Sequence, residues 1–259
     1  MIDLTLLDLA LVYGLVLLAA ALVRLRGGEI RGLLIAALRM GLQLFAVGYL
    51  LHLIFALESA APVLLVLLLM GGMAVHTVAG RIKEKMPHFY KVVGSAMLVG
   101  CGGGTIYFCV LVIGPDPWYD PRYLIPLSGM IIGNAMTGAS LAAERLAQEI
   151  RARRDEVETA LCLGATARQA SLPAVRSALN AALIPSVNAM AAMGIVFLPG
   201  MMTGQILSGT EPMIAVKYQI AIMCVITGSV AVTSVLILQQ GYRSYFSRYD
   251  QLQLPEKAE

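Results

Sequence analysis

Charge is scarce in this chain. Only 14% of its 259 residues are charged and 58% are hydrophobic, a balance outside that of ordinary soluble domains. Cysteine is thin as well: Cys101, Cys109, Cys162 and Cys224 contain no C-x-x-C, so they build no disulfide framework and read as small packing residues. His52, His76 and His88 are scattered and unpaired, which leaves no zinc site to propose. No Gly-Lys pair exists, and a phosphate-binding loop needs one. The glycines around Cys101, at 100, 102, 103 and 104, therefore read as sites of close helix contact or local bending. No acidic residue stands deep in an apolar run, against a carrier driven by an ion gradient. No nucleophile–base or metal constellation is visible, against an intramembrane enzyme, so no catalytic residue is expected.

What the chain has instead is long apolar runs. Seven can be drawn, at 4–23, 33–57, 62–80, 92–114, 123–143, 184–207 and 213–238. Each holds roughly 20 residues, enough at about 1.5 Å per residue to cross a ~30 Å hydrocarbon core. Backbone in lipid must satisfy its own hydrogen bonds, so an all-α polytopic membrane bundle of about seven helices is expected. The whole of 1–259 reads as one membrane-spanning domain. Its first run opens with Asp3 and Asp8 rather than a basic region, which favours a retained helix over a cleaved signal peptide. Sixteen of the 19 basic residues fall in loops on one side, with Arg122 in the opposite loops. The positive-inside rule then places the N-terminus outside and the C-terminus in the cytosol, and Trp118 and Tyr119 suit an outer aromatic belt. The net charge of +3 reflects this topology and points to no nucleic acid.

Residues 144–183 form the longest polar interruption, on the cytosolic side of that scheme. Apolar Leu146, Ile150, Val157 and Leu161 recur at helical spacing, and opposite charges stand four apart: Glu149 with Arg153, Arg151 with Asp155, Arg154 with Glu158. Gly164 supplies a helix end, and Thr166 with Gln169 has the spacing of a capping box that opens the next helix. A charged helix-turn-helix elbow between two membrane spans is a place to receive work from a cytosolic partner.

Polar residues inside the runs are candidates for a passage. Arg39 and Gln43 lie four apart on the second run, where they either line a polar stripe or, for Arg39, snorkel to the cytosolic end. Asn134, Asn188 and Gln205 mark a passage or hydrogen bonds between helices. Met130, Met136, Met190, Met193, Met201 and Met202 cluster on the fifth and sixth runs; their sulfurs are soft ligands, and methionine is equally an adaptable filler. Pro199 and Gly200 break the sixth run, so 198–204 is the expected moving segment. Gly129 with Gly133, and Gly200 with Gly204, have G-x-x-x-G spacing, which serves packing within one bundle or contact with a second copy.

The stretch Glu158-Thr-Ala-Leu-Cys-Leu-Gly164 resembles the E-A-A…G loop of ABC-transporter membrane subunits, with Thr159 in place of the first alanine. Pro126-Leu-Ser-Gly-Met-Ile-Ile-Gly-Asn-Ala-Met136, Leu163-Gly-Ala-Thr-Ala-Arg-Gln-Ala170, Leu198-Pro-Gly-Met-Met-Thr-Gly204 and Ala215-Val-Lys-Tyr-Gln219 together resemble the FetB family of iron-export permeases. That resemblance implies a cytoplasmic-membrane permease, homodimeric, working with a separate FetA-like ATPase that binds the ATP; this chain itself would hold no cofactor. It has neither a Walker loop nor an L-S-G-G-Q stretch. Plant relatives in that family are tied to aluminium tolerance and to UDP-glucose, so a nucleotide sugar stands beside iron as cargo. Glu149-Ile-Arg-Ala-Arg-Arg-Asp-Glu-Val is also similar to FtsX-like and MacB-like permeases, which transmit ATPase motion but carry large external domains that the short outer loops here do not provide. The resemblance implies ATPase coupling through Glu158, Leu163, Gly164, Ala165, Thr166 and Gln169. The passage residues expected are Asn134, Met201, Met202, Gln205, Arg39 and Gln43.

Overall fold

The computed structural model describes residues 5–55, 57, 59–82, 86, 88–247 and 249–254. Two compact units are distinguished, Met1–Glu58 and Ser59–Glu259.

The first unit is a helical hairpin of α1 (Leu6–Leu25) and α2 (Arg31–Phe55). Thr5 and Asp8 form a capping box at the start of α1, closing backbone donors that the first helical turn leaves open. The Tyr13 hydroxyl donates to the Ala37 carbonyl at 3.1 Å, and a side chain at Gly41 would run into that same hydroxyl. Glycine is what lets the two helices meet there. Leu7, Leu11 and Leu15 are exposed along α1, as apolar side chains are on helices whose solvent is lipid.

The second unit contains α3 (Ala60–Arg81), α4 (Phe89–Ile113), α5 (Pro121–Ala152), α6 (Arg154–Cys162), α7 (Ala167–Ala192), α8 (Gly200–Leu207) and α9 (Pro212–Gly241), closed by a 3-10 turn at Tyr242–Tyr245. Helix α5 is its hub, packed against α3, α7 and α9, while α7 also packs on α9. Its buried stripe of Ile131, Ala135, Ala139, Ala142, Leu146 and Ile150 steps by three or four residues, which keeps one face toward the neighbours. On α7 the facing stripe is small throughout: Ala170, Ala174, Ala178, Ala182 and Ser186. Small side chains bring helix backbones close, which is how helices gain packing energy where lipid tails supply no hydrophobic drive.

Six helices among the described residues are long and apolar enough to cross a membrane: α1, α2, α3, α4, α5 and α9. The polytopic helical bundle expected from the sequence is present. The run at 184–207 differs from its expected single helix. Its first part is the end of α7, which has come up from the elbow. A tight turn then closes, with Gly194 at φ +82° donating to the Phe197 carbonyl at 2.9 Å. Pro199 follows, with no backbone N–H and with a bias of Leu198 away from helix, so α8 starts afresh at Gly200. At eight residues, α8 is about 12 Å long, too short to span.

Helix α4 is irregular along its length. Leu98–Gly102 and Tyr107–Ile113 are π-helical, with one α-helical turn at Gly103–Ile106 between them. A side chain at Gly100 would overlap Thr233 of α9, and one at Gly104 would overlap Ser229. These two glycines seat α4 against α9. Of the two spacings read from sequence, Gly129 approaches Met70, whereas Gly133, Gly200 and Gly204 face open space.

Candidate functional site: the helix-turn-helix elbow

Helix α5 has 32 residues, or about 48 Å, against a hydrocarbon core of ~30 Å. Its excess length is the charged stretch from Glu144 onward. Arg153 breaks the helix, α6 runs nine residues, and Gly164 turns the chain into α7.

The turn at Gly164 is fully hydrogen-bonded. Its N–H donates to the Leu161 carbonyl at 3.0 Å, and the Ala165 N–H reaches back to Ala160 at 3.0 Å. This double closure is a Schellman motif, and it needs the left-handed conformation seen at Gly164, φ +91°. Two residues on, Thr166 and Gln169 cap α7 reciprocally: Thr166 N–H to Gln169 Oε1 at 3.0 Å, and Gln169 N–H to Thr166 Oγ1 at 3.3 Å. The capping box read from the sequence is present. Within the Gly164 turn Leu163 is pushed out, 84% exposed, an apolar knob at the tip of a polar elbow. Glu158 is half-buried and bound to Arg154 at 2.8 Å, so it helps hold α6 while Leu163 and Gly164 are offered outward.

One carboxylate fastens the base of the elbow. Glu149 is buried, with Arg145 Nη2 at 2.7 Å on one oxygen and Arg153 Nε at 2.9 Å on the other. Ser177 Oγ, from α7, donates to Glu149 at 3.0 Å. Arg153 also reaches Glu156 at 3.2 Å. Hydrogen bonds to Glu149 and Glu156 hold its guanidinium above its ordinary range, as Glu158 does for Arg154. Hydrogen bonds to a charged group are worth about 1.5–3 kcal/mol, so the Ser177 link is a substantial tie between α5 and α7. The sequence pairs Glu149 with Arg153 and Arg154 with Glu158, and both pairs form. It gives no sign of Ser177, which lies 28 residues from Glu149 in the chain. Arg145, four residues before Glu149, follows the same i, i+4 spacing.

Beside the elbow, a cleft of about 300 Å³ opens between Thr166, Ala167 and Arg168 of the first turn of α7 and Tyr242, Arg243, Phe246, Ser247 and Asp250 after α9. The tail that forms its far wall is pinned back by Gln253 N–H to Tyr245 O at 2.7 Å and Ser247 N–H to Gln251 O at 2.8 Å.

The candidate passage residues stand on three helices, α2, α5 and α8. Met201, Met202 and Gln205 share the short helix α8, half-buried and packed beside α9; the side-chain oxygen of Gln205 is buried with no hydrogen-bond partner among the described residues. Asn134 is exposed on α5 and donates to the Met130 carbonyl at 2.8 Å, within its own helix. Arg39 and Gln43 are exposed on α2, in the first unit. The turn before α8 presents Ile195 and Val196 almost fully exposed, with Phe197 and Leu198 next to them.

The spans define a multi-pass α-helical membrane protein. Residues 6–246 match the model of the family described as "Uncharacterised protein family (UPF0014)", and the chain belongs to that family. Similar proteins include "UPF0014 membrane protein slr1647" of Synechocystis sp., 41% identical over 253 residues, 97% of this chain and 98% of that protein. "Protein ALUMINUM SENSITIVE 3" of Arabidopsis thaliana is 36% identical over 215 residues, 83% of this chain and 77% of the relative. "Probable iron export permease protein FetB" of Escherichia coli is 32% identical over 211 residues, 82% of this chain and 80% of that protein. The resemblance to the FetB family thus extends along most of the chain. No solved structure gives a significant match.

Proposed function

We propose that this chain is the membrane permease subunit of an ATP-driven transporter, that a separate ATPase docks on its elbow, and that the cargo is iron leaving the cytosol. The observation that carries the coupling role is the elbow tip. Two independent local devices stand there: the Gly164 turn closes the nine-residue α6 and holds Leu163 outward, and the Thr166–Gln169 box opens α7 directly after it. An exposed leucine that the fold goes to such lengths to present suits a hydrophobic socket on a partner. The adjoining cleft, with Arg168 and Arg243, offers the same partner a polar contact.

In this scheme the elbow is cytosolic, the protein sits in the cytoplasmic membrane, and residues 1–259 supply half of a passage completed by a second copy. Basic loops on the elbow's side support that orientation. Reporter fusions after Arg153 should read cytosolic and fusions after Asp120 external; the reverse pattern would remove the ATPase from the elbow.

Iron as cargo is supported by the FetB name, not by local ligands. Among the described residues no group of three His, Cys, Asp or Glu converges. Ferrous iron favours nitrogen and oxygen, whereas α8 offers Met201, Met202 and the unpartnered Gln205 oxygen. Contacts with iron, carried as a small chelate, are therefore weak and transient, and Met201 and Met202 shape the gate before α9. Vesicles holding the chain and its ATPase should move iron to the face opposite the ATPase when ATP is added. Met201→Leu with Met202→Leu conserves volume and removes both sulfurs; transport should fall less than about tenfold, where loss of essential ligands would abolish it. Transport of a nucleotide sugar and not of iron would reject the cargo and keep the permease.

A further inference from the structure

Along α3, α4 and α5 runs a crevice of about 510 Å³. It extends from the level of Leu64 to that of Val75 on α3, about 16 Å at helical rise. Gly71 and Gly72 of α3 and Gly94 and Gly102 of α4 line it. A side chain built at any of these four would meet no atom within 4 Å. These glycines are thus unlike Gly100 and Gly104, which are required by a neighbouring helix. Glycine weakens a helix interior relative to alanine. Among the described residues no neighbouring helix requires these four glycines; what they share is the space that they leave in the crevice.

The crevice has one polar end. Ser128 of α5 is 1% exposed, lines the cavity, and its hydroxyl has no hydrogen-bond partner among the described residues. Thr105 of α4 is buried at the same level. Ser128 lies about 10 Å below the start of α5 and Thr105 about 12 Å from the end of α4, so both sit beneath the headgroup layer. No charged residue lines the crevice. Small-molecule sites hold roughly 300–1,000 Å³ within mostly apolar walls and a few placed polar groups, and this crevice has those proportions.

We propose that it is a binding site for a membrane-dissolved amphiphile, one apolar chain with a neutral hydrogen-bonding head. The chain lies along the glycines, and the head, a hydroxyl or carbonyl, meets Ser128. A charged head is disfavoured because no counter-charge waits at that depth. The site is separate from the elbow and from α8, and it does not depend on which cargo is carried.

The test uses the full chain in lipid nanodiscs and a diazirine-bearing long-chain fatty alcohol as probe. Photolabel should concentrate on peptides covering 64–75 and 94–106. Unlabelled fatty alcohol should compete roughly three- to tenfold better than the alkane of equal length, the worth of one hydrogen bond. Ser128→Ala should erase that advantage while labelling continues. Gly72→Leu with Gly102→Leu should fill the crevice and suppress labelling; if that pair does not fold, Gly72→Ala with Gly102→Ala should lower it by degrees. Labelling spread evenly over lipid-facing helices, or unchanged by these substitutions, overturns the site. So does capture of another helix, of this chain or of a second copy, by a photocrosslinker at position 72.

Discussion

Gly164→Val should leave the bundle folded and disconnect ATP hydrolysis from transport. The turn requires φ +91°, where a β-branched residue is strained by about 1–3 kcal/mol. Space is not the obstacle, because a Cβ at this position meets nothing within 4 Å. The cost therefore falls on the backbone of the turn alone. It lowers the share of elbows in the docking geometry by roughly 5- to 150-fold. Gly164→Asn, which tolerates the left-handed region better, should recover part of the loss. Leu163→Asp separates shape from contact: the turn survives, the apolar knob is gone, and ATPase binding should weaken. Reconstituted ATPase stimulation is the measurement. Normal stimulation in both Gly164→Val and Leu163→Asp would reject the elbow as the docking point.

Gly100→Val should have the largest effect on the fold itself. Its side chain would overlap Thr233, with the Thr233 backbone nitrogen at 3.0 Å and Cβ at 3.1 Å from the new Cβ. Backbone cannot rotate out of the way as a side-chain tip does, so α4 must lift from α9. Overpacking of this kind costs typically 1–3 kcal/mol, a large fraction of a marginal stability. Gly103→Val, three residues on and facing open space, is the control. Melting of the purified protein in detergent should show a clear fall for Gly100→Val and a small one for Gly103→Val. Equal tolerance of the two would mean that α4 and α9 do not meet as described.

Much of this architecture was legible because lipid restricts the options. Apolar runs of spanning length announce helices, and Gly164 and Thr166-x-x-Gln169 announce their own turns, since each is a local rule of backbone chemistry. The run at 184–207 misled because hydropathy does not register where a helix is interrupted. Gly194 and Pro199 end one helix and start another while every residue between them, Ile195 to Leu198, remains apolar. Passage residues were harder still. Arg39 and Gln43 belong to the first unit, Asn134 and Met201 to the second, and no local rule of spacing links residues so far apart in the chain. The Glu149–Ser177 tie and the crevice above Gly72 join residues remote in the chain. Only the folded arrangement brings them together.

In the coupling proposed above, the tie at Glu149 also decides how force would travel. It lies 28 residues beyond the start of α5, about 42 Å along the shaft. By pinning that far end to α7, it makes the two helices behave as one crank rather than a pair of tongs. Torque applied at the tip cannot be spent in splaying them. It must turn both shafts together against α9, the element on which each of them rests.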